Sequence, residues 1–224
     1  MTRTPDDPRF SSVVHDETEG VRRIVTHLVA LGHRAFANIA GPQTVSTGFE
    51  RLRAYKASLD ALKLSLDDSL IALASAFSEE EGERCAEELL VKNRPFTALV
   101  CANDRLAIGA IAALQRHGVI CPDDVSVTAL HDMPFASRLQ PPPTTIRIQH
   151  NKAGIEAAEV MVQLLESPLS EKARHIVLPT ELIIRQSTKA VRAGELDGSE
   201  AHQTPPIEQS SKAAALSGRR KGRG

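Results

Sequence analysis

The sequence predicts an α/β protein, and three observations carry that expectation. Short apolar runs alternate with longer segments of helical period. Helix start and stop signals fall between them, and the alternation persists until a proline cluster at 141–143 interrupts it. Such alternation is the mark of βαβ units built on a parallel sheet flanked by helices.

Taken in order, residues 17–31 place Val21, Ile24, Val25, Leu28 and Leu31 on one stripe, with Gly32 available just past the helix end. A strand over 35–40 follows, then a helix from Thr47 carrying Leu52, Tyr55 and Leu59. After a strand over 70–74, Ser78 and Glu81 stand in capping-box spacing before a helix with Cys85, Ala86, Leu89 and Leu90. Residues 97–101 read as the next strand, Asn103 or Asp104 caps a helix ending at Gly118, and 125–130 read as another strand. Past His131 the pattern changes. Residues 144–148 read as extended, and 151–166 as a helix with Ile155, Ala158, Val162 and Leu165 inward, stopped by Pro168. Two extended pieces, 175–178 and 181–185, meet across Pro179. This last section needs a sheet that the preceding alternation does not obviously supply.

At 224 residues the chain is long enough to bury a proper core. Aromatics make up only 3%, so that core must rest on Leu, Ile, Val and Ala. A net charge of −1, from 27 basic and 28 acidic residues, gives no global reason to bind nucleic acid or an anionic membrane. The apolar stretch 106–114 is too short to span a bilayer, and the first ten residues lack the apolar segment of a secretory signal. Cys85, Cys101 and Cys121 form no C-x-x-C pair and read as small buried hydrophobes in a reducing compartment. The expected location is the cytoplasm. From Ala190 the composition turns polar, and the end carries Lys212, Arg219, Arg220, Lys221 and Arg223 without an acid. Residues 190–224 are therefore expected to be a disordered, solubilising tail.

No dinucleotide-binding, P-loop, nucleophile-elbow or zinc-protease motif occurs, and the histidines show no metal-ligand spacing. The expectation is a non-enzyme without cofactor or metal. In an open parallel sheet, ligands bind beyond the carboxyl ends of the strands. The loops leaving those ends span 41–47, 76–79, 102–104 and 131–134. With the helix turn that follows the first of them, they carry Thr44, Ser46, Thr47, Arg51, Phe77, Asn103, Asp104, His131 and Asp132. Hydrogen-bonding groups around one aromatic face suit a polar, ring-like small molecule such as a sugar or nucleobase. Each residue also has a plainer role: Arg51 pairing with a neighbouring carboxylate, Phe77 in the core, Asn103 and Asp104 as caps, His131 as a satisfied loop histidine.

Gly32-His33-Arg34, Ile39-Ala40-Gly41-Pro42, Arg51-Leu52 and Ala54-Tyr55 stand in order along the chain. They are followed by Phe77-Ser78-Glu79-Glu80-Glu81-Gly82, Arg94-Pro95-Phe96-Thr97-Ala98 and Ala102-Asn103-Asp104 running into Ala107-Ile108-Gly109-Ala110. Pro122-Asp123-Asp124-Val125-Ser126-Val127, Pro142-Pro143-Thr144-Thr145-Ile146 and Leu178-Pro179-Thr180-Glu181-Leu182 complete the series. Together they resemble the effector-binding region of LacI/GalR-type transcriptional regulators, over about residues 13–188.

The resemblance implies a periplasmic-binding-protein-like fold, in which two lobes close over a small-molecule effector. It implies a remnant of the first lobe and crossover in 1–14, a complete second lobe in 15–146, and a return helix and strands of the two lobes in 147–189. The helix-turn-helix headpiece of similar proteins has no counterpart in residues 1–14. Operator DNA is thus expected as a partner only through a headpiece missing from this chain, with homodimerisation and no membrane. Effector contacts carry over to Thr47, Arg51, Phe77 as stacking platform, and Asn103. The family's sugar-binding Asp aligns with His131, next to Asp132, and Glu17 stands where Asn is usual. In similar proteins effector binding changes lobe closure and hence operator affinity. The alternative is a headless small-molecule-binding or dimerisation module with no DNA binding. A single wall leaves a ligand half in water, so weak binding, abolished by Arg51→Ala, is expected. The helix at 151–166 is expected to expose an apolar face that favours self-association.

Overall fold

In the computed structural model, which describes residues 9–166 and 173–191, the predicted alternation becomes a three-layer α/β/α arrangement. The chain runs β1 (Ser12–His15), α1 (Glu17–Ala30), β2 (Phe36–Ala40), α2 (Ser46–Ala61), β3 (Ile71–Leu73), α3 (Glu79–Val91) and β4 (Ala98–Cys101). It continues through α4 (Asp104–Arg116), β5 (Ser126–His131), β6 (Thr144–Arg147), α5 (His150–Glu166), β7 (His175–Leu178) and β8 (Glu181–Ile183). The large sheet has the order β3-β2-β4-β5-β6-β8, parallel throughout except for β8, which runs antiparallel to β6.

Alternate residues of the central strands face opposite layers, as the strand period requires. Phe36, Ala98 and Val100 meet Val21, Ile24 and Leu28 of α1 and Tyr55 and Leu59 of α2. Ala37, Ile39, Leu99 and Cys101 meet Leu89 of α3 and Leu106, Ala110 and Leu114 of α4. Because β3 and β4 lie on opposite sides of β2, the loops after β2 and β4 part to opposite layers. That leaves a crevice at their carboxyl ends.

Local signals mostly act as expected. Gly32 takes φ +95° after α1, and Asn103 rather than Asp104 caps α4, its side chain accepting from Leu106 N at 2.9 Å. The capping box before α3 is half made. Ser78 Oγ accepts from Glu81 N at 3.3 Å, but the Glu81 carboxylate goes to Ser75 N and Arg84 instead.

Two expectations change. Residues 12–15 form a strand, β1, which pairs in parallel with β7 as a separate two-stranded sheet. The residues expected inward on α5 are exposed: Ile155 60%, Val162 51%, Leu165 76%, with Ala158 exposed as well. Ala153 and Val160 are buried instead, on the helix that packs against β1. The helix is apolar on more than one side, so periodicity marks a stripe without saying which side finds a partner. The apolar face expected there is exposed, Met161 at 64% included. Pro168 and residues 192–224 of the expected tail lie outside the described residues.

Candidate functional site

Arg51 is the hub of the crevice. It lies in α2 one turn beyond Thr47, so the two share a helix face, and it is only 4% exposed. A buried guanidinium demands partners, and Arg51 draws them from three other elements. Nε donates to Glu17 Oε2 at 2.8 Å and Nη2 to Glu17 Oε1 at 2.5 Å, a bidentate pair. Nη1 donates to the Ala102 carbonyl at 2.7 Å, bridging from α2 to the end of β4 across the switch point. Nη2 also donates to His131 Nε2 at 2.5 Å, at the end of β5. The Phe77 ring lies 5.6 Å from the guanidinium carbon. Phe77 comes close because Gly41 has no side chain: a Cβ there would run into the ring at 2.4 Å.

Glu17 is the first residue of α1, where Asp16 caps the helix and the exposed N–H groups favour a negative charge. Burial pushes its carboxyl up, but the bidentate Arg51 guanidinium outweighs this and holds it down at about 2. His131 is driven the other way. Burial lowers its pKa, Glu17 opposes this, and the Arg51 charge lowers it further. A guanidinium has no lone pair to offer, so Nε2 accepts and the neutral ring carries its proton on Nδ1. His131 sits at φ +109° and Asp132 at φ +54°, a backbone region that residues with a Cβ seldom adopt.

A second layer holds the β5 tip in place. Asp104 is 1% exposed; its Oδ2 accepts from Met133 N at 2.7 Å and its Oδ1 from Thr145 Oγ1 at 2.9 Å. Asp132 spends both oxygens on Arg147 Nε at 2.7 Å and Arg185 Nη2 at 2.6 Å. These pairs anchor the loop, and each oxygen of Asp132, which the sequence placed among the ligand contacts, keeps a further lone pair. Asn103 uses Oδ1 for the helix cap. Thr47 is half-buried in the first turn of α2.

Arg51, Phe77 and His131 therefore come together, with Thr47 on the same face and Asn103 next to the carbonyl that Arg51 holds. Glu17 was legible only as a departure from the family's Asn. Its partner lies 34 residues away, and no local pattern announces the pair. Two further histidines border the cluster. His150, at the start of α5, stands 6.3 Å from His131, and His15, at the end of β1, stands 6.2 Å from His150. Among the described residues, no group of His, Cys, Asp or Glu is arranged to hold a metal, and no helix is long and apolar enough to cross a membrane.

Residues 25–188 match the periplasmic binding protein-like domain. The chain is 31% identical over 181 residues to the HTH-type transcriptional regulator CelR of Thermobifida fusca, covering 81% of this chain and 53% of that protein. It is 30% identical over 185 residues to the HTH-type transcriptional repressor PurR of Haemophilus influenzae, covering 81% and 54%. Among solved structures, a CelR–cellobiose complex superposes with a TM-score of 0.77 at 30% identity, over 82% of this chain and 55% of that one. The chain thus spans about half the length of these regulators. With its sheet, crevice and matched residues taken together, it belongs to the periplasmic-binding-protein-like family and corresponds to the effector-binding region of LacI/GalR-type transcriptional regulators.

Proposed function

We propose that this chain is the effector-sensing part of a cytoplasmic one-component regulator. It binds a small, uncharged polar molecule, sugar-like or nucleobase-like, at the crevice formed by Thr47, Arg51, Phe77, Asn103 and His131. Asp132 acts on the site by positioning its loop. The observation that carries the reading is the Arg51 hub, which gathers the tips of β4 and β5, the first turn of α1 and the Phe77 ring around one buried cation.

The six-stranded sheet, with β8 adding its edge strand from beyond 146, forms one lobe, and β1, β7 and α5 belong to the other. The two chain crossings nearest the crevice pass through His15 and His150, whose rings lie in series with His131. A ligand that moves His131 acts directly on these crossings, the route by which occupancy would alter lobe closure in a homodimer. Operator DNA is contacted through a headpiece outside this region, and the chain catalyses no reaction and carries no cofactor.

The test is an NMR titration with cellobiose, ribose, glucose and adenine, beside a gel-shift with the chain alone. At least one compound binds weakly, and Arg51→Ala weakens it by about 10- to 100-fold, the worth of hydrogen bonds to a charged group. The gel-shift shows no specific complex. Unchanged affinity in the Arg51→Ala protein would remove the assignment.

A further inference from the structure

Arg51 is the strongest hydrogen-bonding group in the crevice, yet very little of it is on offer. Of the five N–H groups a guanidinium carries, four are engaged by Glu17, Ala102 and His131. Its side chain is 4% exposed, against 14% for Glu17 and 24% for His131. An entering molecule thus meets the carboxylate and the imidazole edge before it meets the cation.

We infer that Glu17 sets the charge selectivity of this site, admitting uncharged hydroxyl-bearing ligands and turning away carboxylates and phosphates. The inference rests on the effector reading above and names the ligand class for that site.

The charges add up simply. Glu17 is ionised, Arg51 is cationic, and His131 is neutral, so the cluster presents no net charge to a ligand. An anion would have to displace a bidentate carboxylate already seated on Arg51, or lie beside that carboxylate with its own charge uncompensated. A neutral polyol faces neither obstacle. A carboxylate offers about four lone-pair sites, of which Arg51 takes two, so Glu17 keeps acceptors for ligand hydroxyls. His131 Nδ1–H, Asn103 Nδ2 and the remaining Nη1–H of Arg51 supply donors to ligand oxygens. That mixture of donors and acceptors matches hydroxyl groups, which do both.

Removing the charge at position 17 should release Arg51 for anions. The experiment uses the full chain as wild type, Glu17→Gln, and Glu17→Gln combined with Arg51→Gln. Each is titrated with glucose and with glucuronate at matched ionic strength, by NMR so that weak binding is measured. In the wild type glucose binds at least as well as glucuronate. Glu17→Gln binds glucuronate about tenfold more tightly than wild type and glucose less tightly, and the double variant loses the gain.

Glu17→Gln that folds yet gains nothing for glucuronate overturns the inference, even if glucose binding still depends on Arg51 and the effector reading survives. Conversely, a glucuronate gain in Glu17→Gln with no sugar bound by wild type supports the charge gate while sinking the sugar reading. Should Glu17→Gln fail to fold, Glu17→Asn takes its place. The wild type alone also decides: a preference for glucuronate over glucose would end the inference.

Discussion

A Cβ placed on Gly109 would stand 1.9 Å from the carbonyl oxygen of Glu79, so α4 lies directly against the backbone at the start of α3. Gly82 returns the relationship, since a Cβ there would meet the Leu106 carbonyl at 2.3 Å. This close approach spaces Phe77 and Asn103, which stand just ahead of α3 and α4 and reach the crevice from their N-terminal ends. Backbone atoms cannot move aside as a flexible side chain would. Gly109→Ala is therefore expected to destabilise the chain by about 1–3 kcal/mol or more in urea unfolding, and to weaken ligand binding as well. A variant with wild-type stability would show that the two helices can slide apart freely.

The ion pair in the crevice should leave a signature in acid. The carboxyl of Glu17 is held at about 2, below its ordinary 4.5. A depressed carboxyl contributes stability that is complete above 4.5 and disappears as pH falls toward 2. Stability of the wild type relative to Glu17→Gln should therefore fall across that window, by on the order of 3 kcal/mol. Above it the difference should be level. Denaturant melts at stepped pH read this directly, and a difference that stays flat in acid would mean the pair is not held as described.

How far the sequence reached follows from the range of the interactions involved. Gly32, Ser78 and Asn103 act within a few residues of themselves, and their turns and caps stand where they were expected. The alternation that predicted β2 to β5 and α1 to α4 also succeeds, because burial on two sheet faces imposes it on every element alike. What escaped depends on distant partners. The strand β1 is four residues long and pairs with β7, more than 160 positions away. The side of α5 that finds a neighbour is set by β1, which the sequence did not show as a strand. Nothing local betrayed Arg147 and Arg185 as the partners of Asp132. Arg51 pairs with a carboxylate on a neighbouring element, the plainer role open to it, and its partner Glu17 carried no local signal.

Asp104 behaves oppositely to Glu17. Burial pushes its carboxyl up to about 6 from an ordinary 3.8, although Met133 N–H and Thr145 Oγ1 donate to it and work against the rise. The folded state thus binds this proton more tightly than the unfolded chain does. Its contribution is complete below 3.8 and is lost as pH rises through about 6. At neutral pH the buried, ionised carboxylate costs about 3 kcal/mol relative to its protonated form. Asp104→Asn removes the charge while keeping the shape. The amide oxygen can accept from Met133 N–H, and the amide nitrogen can donate to Thr145 Oγ1, which then turns from donor to acceptor. The stability of Asp104→Asn relative to wild type should therefore increase between pH 3.8 and about 6 and level off above that. Urea unfolding at stepped pH measures the difference. A flat line would mean that the Asp104 carboxyl keeps an ordinary affinity for its proton, and that the Met133 and Thr145 contacts fully offset its burial.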